Sequence, residues 1–197
     1  MTQFEQLDLL LDEYGGTIQT FQVINSGISK PVFYAYVKER GLEQVAHGVY
    51  VSLDTWTDAM YILHLRCSQA VFSHETALFF HALTDREPLK YAITVRTGYN
   101  PSRLQEDGFQ VYTVKKELHE IGTTTMQTSF GHSVTVYDME RTICDLLRSR
   151  KNIEIQVFQD ALKQYARRKD KNLRMLMKYA SMFHVEKILR PYLEVLL

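Results

Sequence analysis

Gly27-Ile28-Ser29-Lys30-Pro31-Val32-Phe33-Tyr34-Ala35-Tyr36-Val37-Lys38-Glu39-Arg40-Gly41-Leu42-Glu43-Gln44-Val45-Ala46-His47-Gly48-Val49-Tyr50 decides how the first third of the chain is read. Ser29 is an N-cap residue type, Pro31 falls in a first helical turn where it sacrifices no intrahelical hydrogen bond, and Gly41 supplies a stop. The spacing therefore predicts a helix running to about Arg40. Beyond it, Leu42 to Ala46 and Val49 to Ser52 are β-prone runs around His47-Gly48, the pattern of a tight hairpin. Upstream, Phe4, Leu7, Leu11 and Tyr14 recur at three- and four-residue steps, giving a first helix capped by Thr2 and stopped by Gly15-Gly16. Thr17 is then expected to cap a short second helix, with Ile18, Phe21 and Ile24 on one face and Asn25-Ser26-Gly27 at its end. Three helices followed by a hairpin, with a short turn between the second and third, is the sequence form of a winged helix-turn-helix.

Working outward, Asp54 to Leu65 reads as a connector helix with Trp56, Met60 and Leu63 on its apolar face. From Arg66 the pattern becomes mixed. Ser73 can cap a helix around Thr76 to Leu83. Lys90 to Arg96, Phe109 to Lys115, His119 to Gln127 and His132 to Tyr137 are rich in Val, Ile, Thr and Tyr and read as strands. Asp138 caps a helix through Arg148. Glu154 to Arg168, Asn172 to Phe183 and Val185 to Val195 follow as helices, with apolar faces such as Ile155, Phe158, Leu162 and Tyr165, and Ile188, Tyr192 and Val195. The expected architecture is α+β: residues 1–65 as a winged helix-turn-helix with its connector helix at 54–65, and residues 66–197 as a mixed α/β domain ending in a helical segment.

The chain has 197 residues, 45% hydrophobic and 23% charged, a composition that supports a folded core. No apolar run reaches the roughly 18 residues of a membrane span, and Met1 to Glu5 lacks the basic and apolar regions of a signal peptide, so a cytoplasmic protein is expected. Cys67 and Cys144 stand far apart without a partner motif and read as buried reduced thiols. A formal net charge of zero hides an asymmetry. Residues 1–66 carry 4 basic and 8 acidic side chains, net −4; residues 67–137 carry 6 and 7, net −1; residues 138–197 carry 13 and 8, net +5. A polyanion should thus meet the C-terminal third or a small local patch near the N-terminus.

That local patch is on the third helix. Phe33, Tyr36 and Val37 can face a core, which leaves Lys30, Tyr34 and Lys38, at i, i+4 and i+8, along the opposite face. The two ammonium groups can neutralise phosphates and the Tyr34 hydroxyl can bond a phosphate or a base edge. Ser29 and the unpaired N–H groups at the helix start can hold a backbone oxygen. Thr17 and Thr20 can add anchoring, and His47 at the hairpin tip can reach an adjacent groove or phosphate. The same stripe also has the form of a solvated surface, and two lysines alone give a shallow attraction. Further cations are available in Lys163, Arg167, Arg168, Lys169, Lys171, Arg174 and Lys178, which fit either an extended contact with DNA or solvated helix faces.

The run Gly27 to Tyr50, with its Gly48-Val49-Tyr50 ending, resembles the N-terminal winged helix-turn-helix of AbiEi-family antitoxins. Ser73-His74-Glu75-Thr76-Ala77-Leu78, His81-Ala82-Leu83-Thr84-Asp85 and Val136-Tyr137-Asp138-Met139-Glu140-Arg141-Thr142-Ile143-Cys144-Asp145-Leu146-Leu147 look like segments of that family's second domain. The resemblance spans most of the chain. It implies a cytoplasmic regulator of a toxin–antitoxin (abortive infection, phage defence) operon that represses its own promoter by binding inverted repeats in double-stranded DNA. It also implies a C-terminal domain that counters a nucleotidyltransferase toxin without a stable complex. A monomer in solution with two copies on the operator is the matching expectation. By the resemblance, Lys30, Tyr34, Lys38 and His47 take part in DNA binding. The family often has Arg or Lys where this chain has His47, and is commonly more basic at the positions of Pro31 and Ala35.

Enzymatic patterns are sparse. His74 and His81 are not at metalloprotease spacing, and there is no Cys-x-x-Cys pair, phosphate-cradling glycine loop or nucleophile elbow. No cofactor and no metal are expected. Asp138, Glu140 and Asp145 have the residue types of a metal-dependent nucleotide-modifying centre. They equally suit structural roles: Asp138 as an N-cap, Glu140 at the positive helix end, and Asp145 paired with Arg141 or Arg148. A protein-interaction module that ignores DNA is the other alternative, and the acidic first domain favours it.

Overall fold

The structure, a computed structural model, describes residues 2–196. The chain forms two compact units, one ending at Ser68 and the other beginning at Gln69. The first is a helix cluster with a small sheet, the second a larger α/β unit, and together they make an α+β protein. No helix among the described residues is long and apolar enough to cross a membrane. Cys67 and Cys144 are both buried, and neither is in a disulfide.

In the first unit α1 (Gln3–Glu13) begins with a reciprocal cap: Thr2 Oγ1 accepts from the Glu5 amide and Glu5 Oε2 accepts from the Thr2 amide. Its buried side chains are Leu7 and Leu11. The chain then turns through Gly15-Gly16 into β1 (Thr17–Gln19), followed by α2 (Thr20–Asn25) and α3 (Lys30–Arg40). As its cap residues predict, α3 starts after Ser29, carries Pro31 in its first turn, and ends at Gly41, whose φ of 69° lies in the left-handed region. β2 (Glu43–Ala46) and β3 (Val49–Val51) form the hairpin, and β1 pairs antiparallel with β3 on its other side, so the sheet order is β1-β3-β2. Leu7, Ile18, Val23, Phe33, Tyr36, Leu42 and Tyr50 make one apolar core. Tyr50 packs edge-on against Phe33, and Tyr36 edge-on against Phe4. The last element of the unit is α4 (Ala59–Arg66).

Two expectations for this unit are corrected. Thr17 caps no helix, because it pairs with Val51 in β1 while Ile18 beneath it is fully buried. A three-residue edge strand that buries Ile18 outweighs the propensity of an isolated short helix, whose nucleation is costly. The actual helix begins at Thr20 and puts Val23 into the core, leaving Phe21 60% exposed and Ile24 exposed as well. The connector helix likewise starts later than expected. Asp58 caps it, with Oδ1 accepting from the Tyr61 amide, and Trp56 lies outside it, 83% exposed. The segment before it is held instead by a close approach: a Cβ on Gly16 would fall 1.9 Å from Thr55 Oγ1, so only glycine lets Thr55 pack there.

The second unit runs β4 (Val71–Phe72), α5 (His74–Phe80), β5 (Ala92–Arg96), α6 (Ser102–Glu106), β6 (Gln110–Val114), α7 (Lys116–His119), β7 (Thr123–Gln127), β8 (Ser133–Tyr137), and then α8 (Met139–Arg148), α9 (Ile155–Arg167), α10 (Leu173–Met182) and α11 (Glu186–Leu196). The sheet order is β6-β5-β4-β8-β7, parallel at β5/β6 and β4/β8 and antiparallel at β4/β5 and β7/β8. β5 to β8 fall where β-prone runs predict them, except that the run from His119 yields the end of α7 before β7 begins. α6 is unforeseen; Asn100 Oδ1 starts it by accepting from both the amide and the hydroxyl of Ser102. The four final helices pack around Ile143, Leu147, Phe158, Leu162, Leu176 and Leu189. Ile155 and Val195, expected on their apolar faces, are exposed.

α8 is buried along its length and carries Arg141 with no exposed surface. Its guanidinium lies 4.0 Å from the ring centres of both Tyr137 and Phe183. Nε donates to Asp145 Oδ2 at 2.9 Å, and Nη1 to the carbonyls of Leu118 and Ile121. One cation thus ties α8, the α7–β7 segment and the end of α10 together.

Candidate nucleic-acid interface

Phe33 and Tyr36 lock α3 from one side. Tyr36 OH donates to Asp8 Oδ1 at 2.8 Å, and Arg40 grips the same carboxylate through Nε at 3.1 Å and Nη2 at 2.6 Å. Burial, then the Asp8 carboxylate, push the Tyr36 phenol pKa well above its ordinary value. With these contacts holding the inner face, Ser29, Lys30, Tyr34 and Lys38 are all exposed, Tyr34 at 48%. Ser29 makes no side-chain capping bond, so the hydroxyl that marks the helix start is not used to close it.

The hairpin is tied to the start of α2. The Thr20 amide donates to the Gly48 carbonyl at 2.9 Å and Thr20 Oγ1 to the same oxygen at 3.4 Å. Gly48, with φ of 71°, turns the chain so that His47 projects exposed at the tip. Tyr50 joins the two elements. Burial and then the neighbouring Tyr34 phenol raise its pKa, while a hydrogen bond with Thr20 draws it down. Of the residues singled out by sequence, Ser29, Lys30, Tyr34, Lys38 and His47 are accessible. Thr20 is half-buried and engaged with the hairpin turn. Thr17 is 4% exposed inside β1, so its side chain is not available for an outside contact. Tyr50 was missed, although its place behind Gly48-Val49 in the hairpin run marked it. Arg40, four residues past Tyr36, lies on the Tyr36 side of α3 and is held there by Asp8, so the outer stripe carries the two lysines without it.

The C-terminal basic cluster divides by surroundings. Arg168 holds Asp170 through two 2.8 Å bonds, and Lys171 Nζ donates to the Arg168 carbonyl, which makes these two part of the turn between α9 and α10. Lys163 and Arg167 lie one turn apart on α9, Arg174 and Lys178 one turn apart on α10, and Lys169 between them; all five are exposed.

Each of the three carboxylates with a metal-site composition is occupied. Asp138 Oδ1 accepts from the Arg141 amide and Oδ2 from Tyr179 OH; Glu140 Oε1 accepts from Tyr165 OH and the Asn172 amide; Asp145 binds Arg141 and Arg148. Burial raises the Asp138 pKa. Among the described residues no group of His, Cys, Asp and Glu is arranged to hold a metal ion. His81 Nε2 donates to the Tyr137 carbonyl at 2.7 Å. His74 is buried with a left-handed φ of 50°, stacked 3.5 Å from the Tyr112 ring. His74 Nδ1 lies 2.9 Å from Ser73 Oγ, which also accepts from Thr94 Oγ1, and Nε2 lies 3.0 Å from Ser149 Oγ, so both ring nitrogens are hydrogen-bonded.

No family model matches this chain, and comparison with curated proteins likewise finds no match.

Proposed function

We propose that the first unit is a winged helix-turn-helix that binds duplex DNA, with α3 in the major groove and the hairpin tip on the flanking backbone. The observation that carries this reading is the accessibility of Ser29, Lys30, Tyr34 and Lys38 on α3, with His47 accessible at the hairpin tip, while the opposite side of α3 is held in the core. The order α1-β1-α2-α3-β2-β3 with the strand order β1-β3-β2 supports it. The chain acts in the cytoplasm as an AbiEi-type antitoxin and autorepressor, two copies occupying an inverted repeat in its own promoter. Its second unit counters a nucleotidyltransferase toxin; the ordered segments Ser73–Leu78, His81–Asp85 and Val136–Leu147 support that assignment.

Titration of the promoter by gel shift or fluorescence anisotropy at several salt concentrations tests the DNA reading. Lys30→Ala with Lys38→Ala should weaken binding at least tenfold and lower the slope of log affinity against log salt by about 2, one for each phosphate that is no longer neutralised. Unchanged affinity and slope rule out α3 as the DNA-binding element. A second reading, a protein-interaction module, is favoured by the exposure of Phe21, Leu53 and Trp56 on a unit of net charge −4. It requires Trp56→Ala to abolish partner binding while promoter affinity is absent in the wild type.

A further inference from the structure

The loop that follows α5 takes a strained path. Ala82 has φ of 52°, a left-handed conformation costly for a residue with a Cβ, and the chain on either side holds it there. The His81 ring is anchored on the Tyr137 carbonyl, the Leu83 amide donates to the Leu78 carbonyl, and the Leu83 side chain is fully buried. What this path produces is a cleft of about 490 Å³ between the loop and α9. Its cations are Arg86 on the loop and Lys163 and Arg167 on α9. Lys163 lies 3.9 Å from Asp160, a carboxylate that also accepts from the Gln156 amide. Arg86 and Arg167 have no carboxylate partner among the described residues, so two guanidinium forks reach the cleft uncommitted.

A second cleft of about 470 Å³ shares Thr84, Arg86 and Val157 with the first and extends to Leu89 and Tyr112. The two differ in charge. The first has three cations, Arg86, Lys163 and Arg167, against two carboxylates, Asp85 and Asp160. The second has two cations, Arg86 and Lys90, against three carboxylates, Glu75, Glu87 and Glu154, together with the apolar surface of Leu89, which is wholly exposed. Each volume is within the range that encloses a small organic ligand. An anionic group is drawn to the first cleft and repelled from the second, where carboxylates accept from hydroxyl or amino groups and apolar side chains cover a flat ring.

We propose that these adjoining clefts bind a nucleotide, its phosphate between Arg86 and Arg167 and its nucleoside against Leu89 and Tyr112. Guanidinium groups suit the phosphate because each can donate two parallel hydrogen bonds to its oxygens. The clefts belong to the second unit and the α3 stripe to the first, and the inference does not depend on the DNA reading. It assigns to Arg86, which the chain's basic clusters do not include, and to Lys163 and Arg167 a small-molecule role.

Calorimetric titration of the full chain with AMP, CMP, GMP and UMP, with adenosine, and with inorganic phosphate tests this. At least one mononucleotide should bind saturably and at least tenfold tighter than inorganic phosphate, and for AMP tenfold tighter than adenosine. Arg86→Ala and Arg167→Ala, both at exposed positions, should each weaken that nucleotide at least tenfold while melting at the wild-type temperature. Leu89→Asp should weaken nucleotide binding and leave phosphate binding unchanged. The proposal is overturned if no mononucleotide binds saturably at millimolar concentration, if the Arg167→Ala protein binds as the wild type does, or if the two arginine variants lose promoter binding and no nucleotide binding.

Discussion

His74 carries the clearest acid-dependent contribution of any single side chain. Full burial holds its pKa down, to about 4, the Asp145 carboxylate opposing this and Arg148 and Arg141 adding to it. A histidine in the unfolded chain titrates near 6.5, so between these values the unfolded state binds the proton and the folded state does not. The contribution is therefore complete above about pH 6.5, falls as pH drops toward 4, and is constant below. At pH 5 the loss from this one group is about 2 kcal/mol relative to pH 7.5. His64 and His119, also lowered by burial, act in the same direction. The measurement is thus a difference: denaturation midpoints at both pH values for wild type and His74→Asn, since asparagine tolerates the left-handed backbone. The variant should lose about 2 kcal/mol less on acidification, and an equal loss would show that His74 contributes none of it. The sequence shows Ser73-His74 only as the start of a helix. Its partners Tyr112 and Ser149 come from distant segments, and a contact made by folding leaves no periodicity to read. Arg141 is the opposite case: Asp145 four residues on was visible as its partner, and the two rings that enclose its guanidinium were not.

Elements were legible in proportion to their length. α1, α3, α8 and α10 each carry a cap or stop residue, these helices with α9 and α11 have enough turns for the 3.6-residue period to register, and all six lie within a few residues of where that pattern puts them. β1 was not legible, because three residues contain no period and its existence depends on β3 being next to it. The segment before α4 failed for a related reason, since Asp54 to Thr57 has acceptable helical composition but is held by Gly16. Gly16→Ala should consequently destabilise the first unit by at least about 2 kcal/mol, combining the strain of a Cβ at φ of 80° with overlap against Thr55 Oγ1. Chemical denaturation followed by Trp56 fluorescence, the chain's single tryptophan, reports it. Pairing the change with Thr55→Gly should relieve the overlap and leave the backbone strain, and a fully wild-type midpoint in Gly16→Ala alone would show that the close approach constrains nothing.

For the molecule as a whole, charge was the property most readily taken from sequence and the one most altered by structure. The counts −4, −1 and +5 stand, yet within the first unit Arg40 is already neutralised by Asp8, and within the second Arg141, Arg148 and Arg168 are committed to Asp145 and Asp170. The candidate stripe was legible because helical spacing alone sets which side chains share a face. The double cleft was not, since its walls are a loop with no pattern and a helix far along the chain. The Asp8 carboxylate, on α1, holds Tyr36 and Arg40 together on one side of α3, away from Lys38, and so pins the last turn of that helix. Asp8→Asn retains an acceptor for Tyr36 OH while removing the charge that holds Arg40, and should lower the denaturation midpoint of the first unit; an unchanged midpoint would show that the pairing pins nothing. The outward face of α3 would then owe its fixed bearing to an acid on a neighbouring helix.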